Sequence, residues 1–197
     1  NKYNEYLNKF TGEIKSSQYD FTKPFIRKDK FVATNGHISC VIDKELCDLS
    51  DKSEKSLDIF AIYAQAKKAE SPILHSVKNL VPSSEDLAKL SPQKTDCPSD
   101  YCQDGSVTCN FDHEHNCPYC EGTGFVVEPK IDAVEFNHKC FKWDYLRLVF
   151  EGAEVFGNGT FEQVTKPSED LQLFKFGEID VFVMALRSSV NPRVFIS

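Results

Sequence analysis

Apolar residues fall at Tyr3, Tyr6, Leu7 and Phe10, the spacing of one helical stripe, and Gly12 marks a stop. Beyond it the pattern shortens and alternates. Glu13 to Tyr19, Phe25 to Arg27, Phe31 to Thr34 and Ile38 to Ile42 read as strands. Asn35-Gly36 predicts a two-residue hairpin turn between the last two, since both residues tolerate positive φ. Leu46 to Lys55 reads as polar loop. Leu57 to Lys68 carries Ala, Gln and Lys and suits a helix, although Ile59 to Tyr63 would also open a strand. A further helix is read from Val81-Pro82 to Leu90, with Glu85 and Asp86 in its first turn.

Ser91-Pro92 closes that half, and a cysteine-rich segment follows it. Phe125 to Glu128 and Ala133 to Phe136 then read as strands, and Lys139 to Phe150 as a second substantial helix stopped by Gly152. Four strand-like runs finish the chain: Glu154 to Phe156, Thr160 to Val164, Leu171 to Phe176 and Val181 to Leu186. Asn158-Gly159 predicts a hairpin between the first two. The fold class is therefore α+β: two helix-plus-antiparallel-strand halves, 1–92 and 131–197, interrupted by a small cysteine-rich hairpin at 93–130.

The 197 residues suffice for one full core and a small insertion. No run approaches the roughly 18–20 apolar residues of a membrane span, and the first residues have no signal-peptide pattern. Eight cysteines suggest either disulfides or metal. Five of them cluster with histidines around a Cys-x-x-Cys turn, which favours zinc in a reducing, cytoplasmic setting. Cys40, Cys47 and Cys140 read as small buried hydrophobes.

The cluster runs Cys97-x4-Cys102-x6-Cys109-x7-Cys117-x2-Cys120, with His113 and His115 in the last long gap. The simplest closed site takes Cys97 and Cys102 as one pair, Cys117 and Cys120 as the other, and holds one structural Zn²⁺. Cys109 with His113 or His115 is an alternative to the first pair, or the start of a second site. Gly105, Gly122 and Gly124 let the backbone turn tightly enough to offer N–H groups to sulfur. Four thiolates leave no open coordination position, so such a site holds the fold rather than does chemistry. Acidic neighbours are expected to raise the Cys117 and Cys120 pKa values, against a redox role.

The ending Cys117-Pro-Tyr-Cys120-Glu-Gly-Thr-Gly124 resembles the Cys-x-x-Cys-x-Gly-x-Gly units of the DnaJ-type chaperone cysteine-rich domain, in which paired units hold each zinc. Cys102-Gln-Asp-Gly105 is a degraded second unit. In the body, Phe31-Val-Ala-Thr-Asn-Gly-His-Ile-Ser-Cys-Val-Ile42 resembles the strand–turn–strand around Ala-Thr-Asp-Gly-His in bacterial DNA polymerase sliding clamps. Asn35 replaces the usual Asp, and Ile38 the usual Arg. Val181-Phe-Val-Met-Ala-Leu-Arg187 is similar to that family's final strand, with Ala185 in place of proline and ten residues still to follow. Phe136-Asn137 opens the helix bearing Tyr145-Leu146. The resemblance implies a duplicated unit with helices facing DNA, and closure of a ring only through several copies.

Charge decides where such contact would lie. The net charge is −7, and residues 93–130 hold Lys94 and Lys130 against Asp96, Asp100, Asp104, Asp112, Glu114, Glu121 and Glu128. So acidic a finger repels phosphate. If the resemblance holds, Lys67 and Lys68 on the first candidate helix, and Lys139, Lys142 and Arg147 on the second, are the DNA-contact candidates. No phosphate loop, nucleophile elbow or paired-carboxylate motif appears, and His37 and Cys40 face opposite sides of their strand. The sequence thus implies a non-enzymatic, clamp-like accessory or binding factor of DNA metabolism, with a protein partner, no membrane contact and self-association. The alternative is a zinc-stabilised protein-interaction module with no nucleic-acid role.

Overall fold

The computed structural model describes residues 1–15, 20–49, 59–90, 94–108, 113–127, 132–187, 190, 192 and 194–196. The chain divides into two compact units, 1–83 with 132–197, and 84–131.

The larger unit is built on a seven-stranded antiparallel sheet. Its first half supplies helix α1 (Lys2–Asn8) and strands β1 (Phe25–Arg27), β2 (Lys30–Thr34) and β3 (Ile38–Asp43). The short helix α2 (Ile59–Tyr63) and strand β4 (Lys68–Ser76) follow. Its second half supplies β9 (Ala133–Phe136), β10 (Lys139–Lys142), helix α4 (Trp143–Phe156), β11 (Thr160–Thr165), β12 (Leu171–Phe176), β13 (Ile179–Met184) and β14 (Val194–Ile196). The sheet runs β1-β2-β3-β13-β12-β11-β4, so β3 against β13 joins the halves. A smaller sheet, β10-β9-β14, includes one parallel pair, β14 on β9.

Successive strand residues point to opposite faces, and both faces of the large sheet are apolar. On one, α1 and α4 pack: Phe31, Phe161, Phe174 and Phe176 are buried there with Leu7, Phe10 and Leu146. Tyr6 ties the two helices, its hydroxyl donating to Leu148 O at 2.7 Å. On the other, Phe25, Val32, Val41, Leu173 and Phe182 form a second cluster, which Phe60 and Tyr63 of α2 cover. Each fully buried phenylalanine contributes on the order of 1.5–3 kcal/mol.

Several boundaries differ from the sequence reading, each for a local reason. Lys139 to Lys142 is strand, because Asn137 and His138 take positive φ and close a two-residue turn onto β9. The helix therefore begins at Trp143, and it runs through Gly152 and the residues expected to form strand Glu154–Phe156. Gly152 is there for clearance: a Cβ would sit 2.2 Å from the Tyr6 hydroxyl and 2.5 Å from Phe176. Asn158-Gly159 consequently links α4 to β11 rather than two strands. The β2–β3 turn lies one residue later than expected, with Asn35 Oδ1 accepting the His37 and Ile38 N–H groups.

The helix expected over Leu57 to Lys68 is described only at Ile59–Tyr63, and Lys68 opens β4 instead. That strand was not anticipated, being polar and interrupted by Pro72. It survives because it is an edge strand, where a missing N–H costs no ladder bond, and Leu74 stays 68% exposed. Of the strand expected at Glu13 to Tyr19, Lys15 pairs with Asp20 in an isolated bridge, and 16–19 lie outside the described residues.

Across β4, β11 and β12 runs a chain of polar side chains. His75 sits half-buried between the Phe136 and Phe161 rings, its Nε2 3.2 Å from Gln163 Oε1. Gln163 Nε2 donates to Gln172 Oε1 at 2.7 Å, and Thr165 Oγ1 donates to the same oxygen at 2.8 Å. These buried amides are satisfied, as buried polar groups must be.

The smaller unit contains helix α3 (Ser84–Lys89) and two antiparallel strand pairs, β5 (Lys94–Asp96) with β8 (Phe125–Val127) and β6 (Ser106–Thr108) with β7 (Glu114–Asn116). It begins at Ser84, so α3 groups with the finger, whereas the sequence reading placed it in the body.

Candidate metal centre

The two strand pairs bring four sulfurs together. The Sγ atoms of Cys97, Cys102, Cys117 and Cys120 all lie within 4.8 Å of one another. Cys97 to Cys117 and Cys102 to Cys120 are both 3.7 Å. A tetrahedral ion with Zn–S bonds of about 2.3 Å requires sulfur–sulfur edges of about 3.8 Å, so the donor set fits a metal of that size.

The backbone explains how so irregular a segment reaches this geometry. The Cys97 N–H donates to Gly124 O at 3.0 Å, and the Cys117 N–H donates to Gly105 O at 2.7 Å. Each arm is thus anchored by the glycine that follows the other arm's cysteines. Gly105 has φ +100°, and a Cβ there would lie 2.3 Å from Gly122 O, a contact only glycine permits. Asp104 precedes it at φ +48°, and Glu121 precedes Gly122 at +52°, giving both arms a left-handed corner.

The thiols are tuned as a set. Burial pushes Cys102 up to about 12, against a hydrogen bond from the Gly105 backbone. Cys97 accepts one from Ser99 but is still raised by burial and the facing thiols. Burial also works to raise Cys117, yet the Cys120 and Tyr119 backbone groups, with the Cys102 and Cys97 thiols, outweigh it and bring it down to about 7. This corrects the expectation that acidic neighbours raise Cys117. Sulfurs this close ionise together only around a cation, which is what a divalent ion supplies. Ser99, Gly105 and Tyr119, which act through backbone N–H groups, were not all foreseen; Asp104-Gly105, a turn dipeptide beginning two residues after Cys102, was the available signal.

The alternative histidine ligands do not join this cluster. His113 and His115 are exposed on the outer hairpin, their rings 6.4 Å apart, and neither belongs to the four-sulfur group. Cys109 lies outside the described residues. Of the remaining cysteines, Cys40 and Cys47 are buried as expected, while Cys140 is only half-buried, its thiol 3.6 Å from Val190 O.

The five cations proposed from sequence do not form one helical stripe. Lys67 lies in a loop, Lys68 opens β4, and Lys139 and Lys142 belong to β10, so Arg147 alone is helical. Lys139 pairs with Asp170 at 2.7 Å, and Arg147 approaches Asp144 at 3.7 Å. The Lys142 ammonium lies 5.5 Å from the centre of the Tyr145 ring. Helices α1 and α4 carry Lys2 and Arg147 against Glu5, Asp144, Glu151 and Glu154, and Lys9, just after α1, is paired with Glu151. That helix surface is charge-compensated rather than basic.

Elsewhere in the larger unit a broad groove is floored by Met184, Ala185, Leu186 and Val190, with His37 and Arg187 among the residues lining it. No described helix is long and apolar enough to cross a membrane.

No protein-family model and no curated protein matches the chain. Among solved structures, the DNA polymerase sliding clamp of Pseudomonas aeruginosa overlaps 94% of this chain and 65% of its own, at 10% identity and a TM-score of 0.44. The sliding clamp of Bacillus subtilis overlaps 95% and 62%, at 11% identity and a TM-score of 0.39. The chain spans less than two thirds of the length of either clamp. By its own elements the chain is an α+β protein of mainly antiparallel strands.

Proposed function

We propose that this chain is a non-enzymatic binding protein: an α+β body of clamp-like arrangement carrying a finger closed around one structural Zn²⁺, and serving DNA metabolism as an accessory factor. The observation that carries the reading is the closed set of four sulfurs, with edges of 3.7 Å on two sides. Four protein ligands leave zinc no position for water or substrate, so the metal holds the finger. Thiols kept for metal suit a reducing compartment such as the cytoplasm. Protein contact belongs to the body's groove, whose apolar floor at Met184 to Leu186 has His37 and Arg187 beside it.

The compensated helix surface favours a second reading, a zinc-stabilised protein-interaction module without nucleic acid. Of the five candidates, Lys67, Lys68 and Lys142 make no ion pair among the described residues, whereas Lys139 and Arg147 do. The first three are therefore the cations to test. Retention of duplex DNA at low salt should be lost in the triple variant Lys67→Glu, Lys68→Glu, Lys142→Glu and should fall steeply with added salt. Absence of retention by the unmodified protein, even at low salt, removes the DNA component and leaves the protein module. Self-association, which a clamp-like ring requires, is read from the mass in solution.

A further inference from the structure

The four cysteines of the finger are not equal toward solvent. Cys97 and Cys102 are half-buried and line an open groove, whereas Cys117 and Cys120 are buried. The two 3.7 Å sulfur pairs each join one thiol of either kind, Cys97 to Cys117 and Cys102 to Cys120. Each reachable sulfur therefore has a shielded sulfur beside it on the other arm. Backbone bonds hold the arms together as well: the Cys97 N–H donates to Gly124 O, and the Cys117 N–H to Gly105 O.

An exposed thiolate with a second thiolate in reach is the arrangement of an attacked and a resolving cysteine. A bound metal keeps its cysteine ligands deprotonated, so the sulfurs are nucleophiles while they hold it. Asp96 and Asp104 also line the groove. A concave site of one sign repels anionic oxidants, but not a small neutral one such as hydrogen peroxide.

We infer that peroxide converts the finger from a metal-closed to a disulfide-closed form, bridging Cys97 to Cys117 and Cys102 to Cys120 and expelling the ion. The expelled ion rests on the zinc reading, whereas the pairing rests on the sulfur positions. In the first step the Cys97 sulfur attacks one peroxide oxygen. The O–O bond breaks, Cys97 becomes a sulfenic acid, and the departing hydroxide takes a proton from water. The Cys117 thiolate then attacks the Cys97 sulfur, the S–S bond forms, and the S–O bond breaks with loss of a second hydroxide, protonated in turn. Cys102 and Cys120 repeat the sequence with a second peroxide. In sum, four thiolates, two peroxides and four protons give two disulfides and four waters. Four electrons leave sulfur and reduce two O–O bonds. With no thiolate left, the ion is released. The bridges close loops spanning 20 and 18 positions, which constrains the unfolded chain and keeps the finger closed. The exchange also removes the charge of about −2 that a zinc ion with four thiolates carries.

The test treats the full chain with graded hydrogen peroxide beside a chromogenic zinc chelator, then blocks free thiols with iodoacetamide and maps the bridges by mass spectrometry. Chymotrypsin suits the map, since cleavage after Tyr101 parts Cys97 from Cys102 and cleavage after Tyr119 parts Cys117 from Cys120. Zinc should be lost completely, with two peroxides consumed per ion. The peptides should be joined as Cys97–Cys117 and Cys102–Cys120, while Cys40, wholly buried in the larger unit, stays reduced. A dithiol reductant with added zinc should restore the metal. Bridges within an arm, a bridge to Cys109, zinc released with sulfinic acids in place of disulfides, or zinc retained under excess peroxide would each overturn the inference. Zinc content before treatment separates the two readings. Zinc-free protein that still forms both cross-arm bridges sinks the metal assignment alone, and zinc-replete protein that forms others sinks the switch alone.

Discussion

Replacing Gly152 by alanine tests the packing of the larger unit at its tightest point. In an isolated helix the change would stabilise, since alanine gains about 1 kcal/mol over glycine. Here the added Cβ would meet the Tyr6 hydroxyl at 2.2 Å and two ring atoms of Phe176 at 2.5 Å. Tyr6 is held in place by its hydrogen bond to Leu148 O on α4, so it cannot retreat without giving that bond up. Phe176 lies in the sheet beneath and is itself buried. Overpacking costs about 1–3 kcal/mol, and loss of the tyrosine hydrogen bond about 1–1.5 kcal/mol more. Net of the helix gain, Gly152→Ala should destabilise by about 1–3.5 kcal/mol. Urea unfolding followed by far-ultraviolet circular dichroism measures this directly. In a Tyr6→Phe background, which lacks the nearest clashing atom, the same substitution should cost less. A Gly152→Ala protein as stable as the unmodified chain would refute the close approach of α1, α4 and β12.

Three further outcomes follow from named groups. Burial holds the His75 imidazole below its ordinary value, against a partial opposing effect of Gln163. A lowered folded pKa gives stability that is complete above the unfolded value of about 6.5 and lost as pH falls through the folded value. His75→Gln should therefore show a smaller fall in Tm between about pH 7 and pH 5, and an unchanged fall counts against the burial of this ring. Gly105→Ala forces a side chain onto φ +100° and against Gly122 O, a strain of about 1–3 kcal/mol from the backbone alone. Zinc retained through gel filtration should drop sharply in that variant but not in Gly159→Ala, which has open space around it; equal retention would contradict the role of Gly105. Finally, metal uptake must displace the protons of Cys97 and Cys102, both of which hold them more tightly than ordinary thiols. Competition with a fluorescent chelator should show affinity rising by at least about 100-fold per pH unit near neutrality, two protons being the least that four thiol ligands release, and a flat profile would mean thiols are not the ligands.

The grouping of Cys97, Cys102, Cys117 and Cys120 was legible in their spacing: two pairs on turns, each followed by glycine. The body was legible where periodicity is strong, as in α1 and the strands from Phe25 to Ile42. It failed where tertiary context overrides local pattern. Gly152 reads as a helix stop, yet α4 carries it inward because Tyr6 and Phe176 need the space. Strand β4, with Pro72 and few buried residues, has no local signal and exists by pairing with β11. Turns at Lys28-Asp29 and Asn137-His138 adopt positive φ without glycine, so the short strands they join were partly hidden. Lysines were assigned to helices by the same boundary errors, and with them went the expected basic stripe.

The most direct test of the account is the metal shell of protein purified without added zinc. Elemental analysis should return one zinc per chain, and X-ray absorption should return four sulfurs at about 2.3 Å. Protein without metal and with all its thiols free, or a shell containing histidine nitrogen, would contradict a finger built on Cys97, Cys102, Cys117 and Cys120.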